Sequence, residues 1–440
     1  MTLEAHQTTA VAAITRRAAE RLRAGHLWVY RSDVERLAPA AGQRGESTGV
    51  PETAPPDALA NVPPGALVTV ADGRGIPLGT ALYSSASEIA LRLVSRRARL
   101  TRAEYLGELR DRMRAALKLR AMLVPEAFPA AGSRTPVETD ACRLIFSEAD
   151  GLPGIGADRY RQIVVVQLLT QGTAQDDVRQ VLVEVLSEQP WAGIVVERPD
   201  ARVRELEALP PAPQDPLYVR AGLDDALQTI FTINGRRFHF DAASGQKTGA
   251  FLDQRLNYAA AARYARGRAL DVCTYQGGFA LHLARACERV TGVDASRAAL
   301  EVADRNLELN PGLGAQVDWV EADAFELLRD WEAAGERFDT IVLDPPAFAK
   351  SKRAAEGALR GYKELNLRAL KMLNAGGTLV TCSCSHYVGM EEFVGVVRAA
   401  AADAGRRVQL LEMRGAAPDH PAVLTLPETS YLKCLICRVN

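Results

Sequence analysis

Between residues 268 and 346, four short apolar segments each run into an acidic residue. The first reads Ala269-Leu270-Asp271-Val272-Cys273-Thr274-Tyr275-Gln276-Gly277-Gly278-Phe279: a strand ending in an acid, a glycine turn, and a helix start. Residues 290–293 lead to Asp294, 317–320 to Asp323, and 340–343 to Asp344-Pro345-Pro346. Apolar strands that deliver acids and glycines to their carboxyl ends line the ligand crevice of an open α/β sheet.

The spacing narrows the ligand. It is neither Gly-x-Gly-x-x-Gly nor Gly-x-x-x-x-Gly-Lys-Ser/Thr, so a dinucleotide or a phosphate cradle is not indicated. Asp271 would repel a pyrophosphate but can accept hydrogen bonds from an ammonium. Asp294 suits a pair of ribose hydroxyls. Asp323 with Ala324 suits an adenine amino group. A ligand with an ammonium, a ribose and an adenine but no phosphate is S-adenosylmethionine. The plain alternative is that these acids only cap strand ends.

Two cysteines follow a later apolar strand, in Thr381-Cys382-Ser383-Cys384-Ser385. A thiolate is a strong nucleophile, and Cys384 would end a strand neighbouring the one that carries Asp344. Cys382 and Cys384 are two apart, so in extended chain they share a face. Cys434 and Cys437 are three apart in another predicted strand and face opposite sides, so no metal is expected there. Cys273 and Cys287 read as packing residues. His420, between Asp419 and Pro421, reads as a structural turn, while His386 lies close enough to Cys384 to touch a substrate. Trp28 and Tyr30 read as barrel core or as base-stacking groups.

The elements that must position these residues fall into three blocks. Residues 25–38 and 62–95 read as short strands of a small barrel, interrupted at 39–61 by a Pro-, Ala-, Gly- and Thr-rich stretch expected to be a mobile insertion. Residues 101–124 are periodic as a helix, 142–169 read as strands, 175–187 as a helix and 193–196 as a strand. From about 226 the chain alternates strand and helix, the pattern of a parallel sheet. It closes on strands at 408–412 and 431–439, expected as an antiparallel edge pair. This gives expected domains at 1–97, 98–225 and 226–440.

Composition limits the setting. No apolar run is long enough to span a membrane, and seven scattered cysteines suit a reducing cytosol. Net charge is −1, yet residues 1–120 hold 18 Lys/Arg against 12 Asp/Glu. A basic block on a neutral chain suits a polyanion partner.

The motif Asp344-Pro345-Pro346-Ala347-Phe348 resembles the one with which base-modifying methyltransferases hold a flipped base. With Gly361-Tyr362-Lys363-Glu364-Leu365-Asn366, Gly376-Gly377 and Ser383-Cys384-Ser385, it resembles the bacterial 23S rRNA large-subunit methyltransferase I family, a class of rRNA cytosine-C5 methyltransferases. Gly249-Ala250-Phe251-Leu252-Asp253-Gln254-Arg255, Glu148-Ala149-Asp150-Gly151 and Asp72-Gly73-Arg74-Gly75 resemble further segments of that family, so the likeness extends over nearly the whole chain. It implies a Rossmann-like class I methyltransferase sheet at the carboxyl end, an amino-terminal PUA-like β-barrel and a central α+β linking domain. It implies S-adenosylmethionine held by Phe251, Gln254, Arg255, Asp271, Tyr275, Gly277, Gly278, Phe279, Asp294, Asp323, Ala324 and Asp344, with Cys384 and Asp344 catalytic; Cys382 is the alternative nucleophile, because Thr381-Cys382-Ser383 resembles the nucleophile motif of other RNA C5 methyltransferases. It implies 23S rRNA or a large-subunit particle as partner, with a homodimer left open. Methylation of a guanine or adenine nitrogen without a covalent intermediate, and a noncatalytic RNA-binding role, remain the alternatives.

Overall fold

A computed structural model describes residues 10–39, 62–128, 137–243, 249–349 and 352–440. The insertion expected at 39–61 lies outside these apart from Pro39.

The first sheet comprises β1 (Ala10–Ile14), β2 (Trp28–Tyr30), β3 (Val34–Pro39), β4 (Leu67–Ala71), β5 (Pro77–Tyr83) and β6 (Ile89–Ser95), in the order β2-β6-β5-β4-β1-β3. Ile14, Val29, Leu37, Val70 and Leu91, from five of these strands, meet in one core, so the sheet curls around it. β1 and the helix α1 (Arg16–Arg23) were not expected. The stretch Ala10-Val11-Ala12-Ala13-Ile14 has weak strand propensity, and its form is fixed by ladders to β3 on one side and β4 on the other. Trp28 and Tyr30, read as barrel core or base-stacking groups, are only half-buried. The Trp28 indole donates instead to Glu148, 3.0 Å away in the next unit.

The middle unit opens with α2 (Arg102–Leu123), started by a capping box between Thr101 and Glu104. Leu109, Met113 and Leu117 on α2 pack on a sheet of β7 (Ala141–Phe146), β8 (Ile155–Tyr160), β9 (Ile163–Leu168), β10 (Ile194–Glu197) and β11 (Tyr218–Val219). The helices α3 (Asp176–Ser187) and α4 (Ala201–Leu206) complete it.

Strand–helix alternation does not start at 226. An antiparallel hairpin comes first, β12 (Gln228–Ile233) and β13 (Arg236–Asp241). Its turn is Asn234-Gly235, both at positive φ (48° and 72°), the pair that a two-residue hairpin favours. Then follow α5 (Arg255–Tyr264), β14 (Arg268–Val272), α6 (Gly278–Leu283), β15 (Arg289–Asp294), α7 (Arg297–Glu308), β16 (Gln316–Glu321), α8 (Ala324–Ala333), β17 (Phe338–Leu343), α9 (Ala355–Met372), β18 (Leu373–Ser383), α10 (Met390–Asp403), β19 (Val408–Arg414) and β20 (Lys433–Val439). The sheet order is β16-β15-β14-β17-β18-β20-β19. The expected carboxyl-terminal antiparallel pair forms one end of this sheet. β20 lies inside the sheet, antiparallel to both neighbours, and β19 alone forms the edge. Strand order reverses between β14 and β17, and at such a switch point the two crossovers leave in opposite directions and open a crevice.

The units are joined by buried polar contacts. The Arg92–Glu207 ion pair, 2.8 Å, links the first sheet to the middle unit, and the Tyr160 and Phe240 rings stack at 3.9 Å between the middle unit and the hairpin. The densest junction is Asp419. Its Oδ2 accepts from the Arg143 amide (2.9 Å), its Oδ1 from Arg255 (3.2 Å), and its carbonyl from Arg120 (3.0 Å). Together with the neighbouring His420, these partners hold the Asp419 carboxyl far below the usual carboxylate range although burial opposes them. Its stabilisation is therefore present above the ordinary carboxylate pKa and is lost as pH falls below it. Asp419→Ala leaves the Arg255 charge, which is 2% exposed, with only Glu126 at 3.9 Å, and should cost about 3 kcal/mol in urea unfolding at neutral pH. Asp419→Asn should cost less and should flatten the loss of stability below about pH 4.

Candidate functional site

The crevice at the ends of β14 and β17 is built around carboxylates. The Asp271 Oδ2 accepts from Thr274 Oγ1 (2.6 Å) and the Ala280 amide (2.9 Å). Its Oδ1 is buried and has no hydrogen-bond partner. Burial pushes this carboxyl up to about 7. An orphaned, desolvated carboxylate oxygen is a place for a cation or a donor to bind.

The loop after β14 bends sharply. Cys273, Tyr275 and Gly277 all have positive φ (63°, 52° and 85°), which is uncommon for the two non-glycine residues. A Cβ on Gly278 would lie 2.7 Å from the Tyr258 ring, so only glycine lets α6 start this close. Phe279 packs edge-on against Tyr258, and Phe251 edge-on against Tyr275. The Asp294 carboxylate receives the Tyr275 amide on Oδ2 and the Ser296 amide on Oδ1, both at 2.9 Å, which fixes it at the end of β15. Asp323 Oδ1 caps α8, accepting from the amides of Phe325 and Glu326, and Ala324 opens that helix.

Asp344 follows β17, with its amide donating to the Val272 carbonyl of β14. Its Oδ1 accepts from Gln254 Nε2 at 3.0 Å, and Gln254 is held in turn by Asn257. Burial, then the nearby carboxylates of Asp253 and Asp271, push the Asp344 carboxyl up to about 8. At neutral pH it is mostly a neutral acid and a hydrogen-bond donor.

The two neighbouring cysteines differ. Cys382 is fully buried opposite Cys434 in the β18–β20 ladder, and burial holds its thiol well above the ordinary range. Cys384 lies past the end of β18, half-buried, with Sγ 3.9 Å from the Pro345 carbonyl. Ser385 Oγ accepts from the Ala349 amide and meets the Tyr362 hydroxyl at 2.8 Å, which ties the Cys384 segment to the Asp-Pro-Pro loop.

The structure thus brings Phe251, Gln254, Asp271, Tyr275, Gly277, Asp294, Asp344 and Cys384 around one crevice. Arg255 is different: its guanidinium turns to Asp419 and serves the junction between units. Cys273, read as packing, is half-buried against the hydrophobic core of the sheet, and burial, then the charges of Asp294, Asp344, Asp271 and Asp323, raise its thiol. Cys287 packs as expected. Cys434 and Cys437 fall in cores on opposite faces of β20, and His420 is buried beside Asp419. Asp253 was missed as a site residue. Its Oδ2 accepts from the Tyr431 hydroxyl at 2.5 Å and its Oδ1 is buried without a partner. No local pattern marks it, because its partner is 178 residues away.

Residues 223–438 match a family profile described as S-adenosylmethionine-dependent methyltransferase, and residues 13–96 match a PUA-like domain. The chain is 41% identical over 302 residues to the ribosomal RNA large subunit methyltransferase I of Serratia proteamaculans, covering 68% of this chain and 75% of the relative. It is 37% identical over 377 residues to the protein of that name from Pseudoalteromonas translucida, covering 85% and 91%. The fold superposes on a protein described as an S-adenosylmethionine-dependent methyltransferase from Streptococcus mutans with a TM-score of 0.74 at 18% identity, covering 97% of this chain and 99% of that one. The cofactor is S-adenosylmethionine, and the unpartnered Asp271 oxygen fits its ammonium.

Because an ammonium requires Asp271 ionised, binding is linked to proton loss. Calorimetric affinity for S-adenosylhomocysteine should be flat above pH 7 and weaken about tenfold per unit below it. Asp271→Asn should bind more weakly at neutral pH and lose this slope.

Proposed function

The chain belongs to the ribosomal RNA large subunit methyltransferase I family, S-adenosylmethionine-dependent methyltransferases, and from that membership we propose that it forms 5-methylcytidine in 23S rRNA through a covalent bond between Cys384 and cytosine C6. The observation that carries the reading is the half-buried Cys384 thiol, 3.9 Å from the Pro345 carbonyl beside Asp344, while the competing Cys382 is sealed in the sheet.

Cytosine C5 is a poor nucleophile and needs covalent activation. The Cys384 thiolate adds to C6, opening the C5=C6 bond, and the protonated Asp344 donates to N3, so the electron pair collects at C5. When bound, S-adenosylmethionine supplies the methyl group that C5 takes. Loss of the C5 proton then restores the double bond as the thiolate leaves C6. Residues positioned to hold the cofactor are Asp271 for the ammonium, Asp294 for the ribose, Asp323 with Ala324 for the adenine, and the turn from Tyr275 to Phe279 for its backbone. A target base must be extruded from its stack to meet these groups. A hollow of about 510 Å³ beside the Asp344 loop is lined by Phe325, Phe348, Arg353 and Arg360, a surface suited to stacking and to phosphate. The basic excess over residues 1–120, most of it in and just before α2 beside the PUA-like unit, suits the RNA backbone.

RNA carrying 5-fluorocytosine at the target should trap the enzyme, with mass spectrometry placing the link at Cys384. Cys384→Ala should abolish turnover and leave S-adenosylhomocysteine affinity unchanged, whereas Cys382→Ala should keep most activity. An adduct on Cys382 would reverse the assignment, and methyl on a nitrogen without any adduct would end the C5 reading.

A further inference from the structure

Lys433 opens β20 directly opposite Ser383, so its side chain lies at the end of β18 where Cys384 begins the loop. It is 4% exposed. Its Nζ donates to the Ser385 carbonyl at 2.6 Å and to the Tyr431 carbonyl at 2.7 Å. Both partners are neutral. Among the described residues no carboxylate forms an ion pair with it, and Glu392 of α10 acts on it only at longer range. A buried lysine is normally matched by an acid. The Cys384 thiol lies one residue before the carbonyl that Nζ grips, so Nζ is held at the backbone that carries the sulfur.

We infer that Lys433 is a positioning residue that acts through Cys384, its buried ammonium stabilising the Cys384 thiolate. The inference rests on Cys384 being the nucleophile. The step is an ionisation: the Sγ–H bond breaks, the proton passes to solvent, and sulfur keeps the electron pair opposite a lysine that is mostly charged at neutral pH. The two carbonyls hold Nζ in place without neutralising it, so its field is left for the sulfur. Other groups also face this segment. Tyr362, from α9, is committed to Ser385. Asp344, across Pro345, is mostly neutral at pH 7 and would oppose a thiolate if ionised. His386 lies against the Tyr431 ring. Burial pulls the Lys433 amine down to about 8, and the thiol offsets part of that. The mutual attraction also returns the leaving thiolate to its ion pair when the C6–S bond breaks.

The test is iodoacetamide alkylation of Cys384 in the full-length enzyme over a pH series, resolved by peptide mass spectrometry, with S-adenosylhomocysteine binding as the check of folding. Lys433→Met should move the alkylation midpoint up by about one unit or more, and Lys433→Arg should stay closer to wild type. An unchanged midpoint in folded Lys433→Met overturns the inference. If Lys433→Met fails to fold, the reverse arm decides: Lys433 in Cys384→Ser should become reactive to reductive methylation at lower pH than in wild type, and identical profiles overturn the inference. The readout needs no RNA, so a shifted midpoint without a 5-fluorocytosine adduct supports the ion pair while ending the C5 reading.

Discussion

Three carboxylates, Asp253, Asp271 and Asp344, crowd one water-poor space at the ends of β14 and β17. Like charges so placed cannot all ionise cheaply, and burial with this crowding raises two of them, Asp271 and Asp344. Asp271 stands near its midpoint at neutral pH and Asp344 above it. One can become an acceptor for a cation while the other stays a donor for a base. The sheet topology creates this crowding, because the order reversal between β14 and β17 brings both strand ends to one crevice. The local hydrogen bonds then sort the roles: Thr274 and Ala280 favour the anion at Asp271, and Gln254 alone supports Asp344.

The rest of the molecule holds that crevice in shape. β20 enters between β18 and β19 and carries Lys433 to the edge of the crevice. The loop before it brings the Tyr431 hydroxyl onto Asp253. Asp419, in the connection from β19 to β20, is gripped by arginines from α2, β7 and α5. The wall of the site is thus pinned from the middle unit as well as from its own sheet.

The acids at the strand ends were legible because each sits in a local strand–turn–helix passage, where period and turn residues suffice. The Rossmann-like sheet and the PUA-like unit were legible for the same reason, with family likeness added. The Asn234-Gly235 hairpin carried a readable turn signal that the later strand–helix alternation overshadowed. β1 was illegible, since an alanine-rich pentapeptide becomes a strand only through two ladders. Arg255 sits in a segment that resembles the cofactor-binding one, yet its charge answers to a residue 164 positions on. Asp253 and Lys433 were not read as site residues because their surroundings are made by burial and by distant chain, neither of which is written in spacing. The contrast between Cys382 and Cys384 follows from where β18 ends. Strand alternation put both thiols on one face, but the strand stops at Ser383, and only the second cysteine is released from the ladder.

The Asp419 junction has a bearing on how the chain reaches and keeps its native state. Its contacts span 164, 276 and 299 residues, so they demand large loop closures and can form only once both the middle unit and the carboxyl-terminal sheet have taken shape. Interactions of this kind belong to the late side of the folding barrier. They do little to hasten folding and act chiefly by slowing unfolding. The buried arginine cluster therefore serves as a latch on the lifetime of the assembled molecule, and the carboxylate crevice, strained by its own charge, persists behind it.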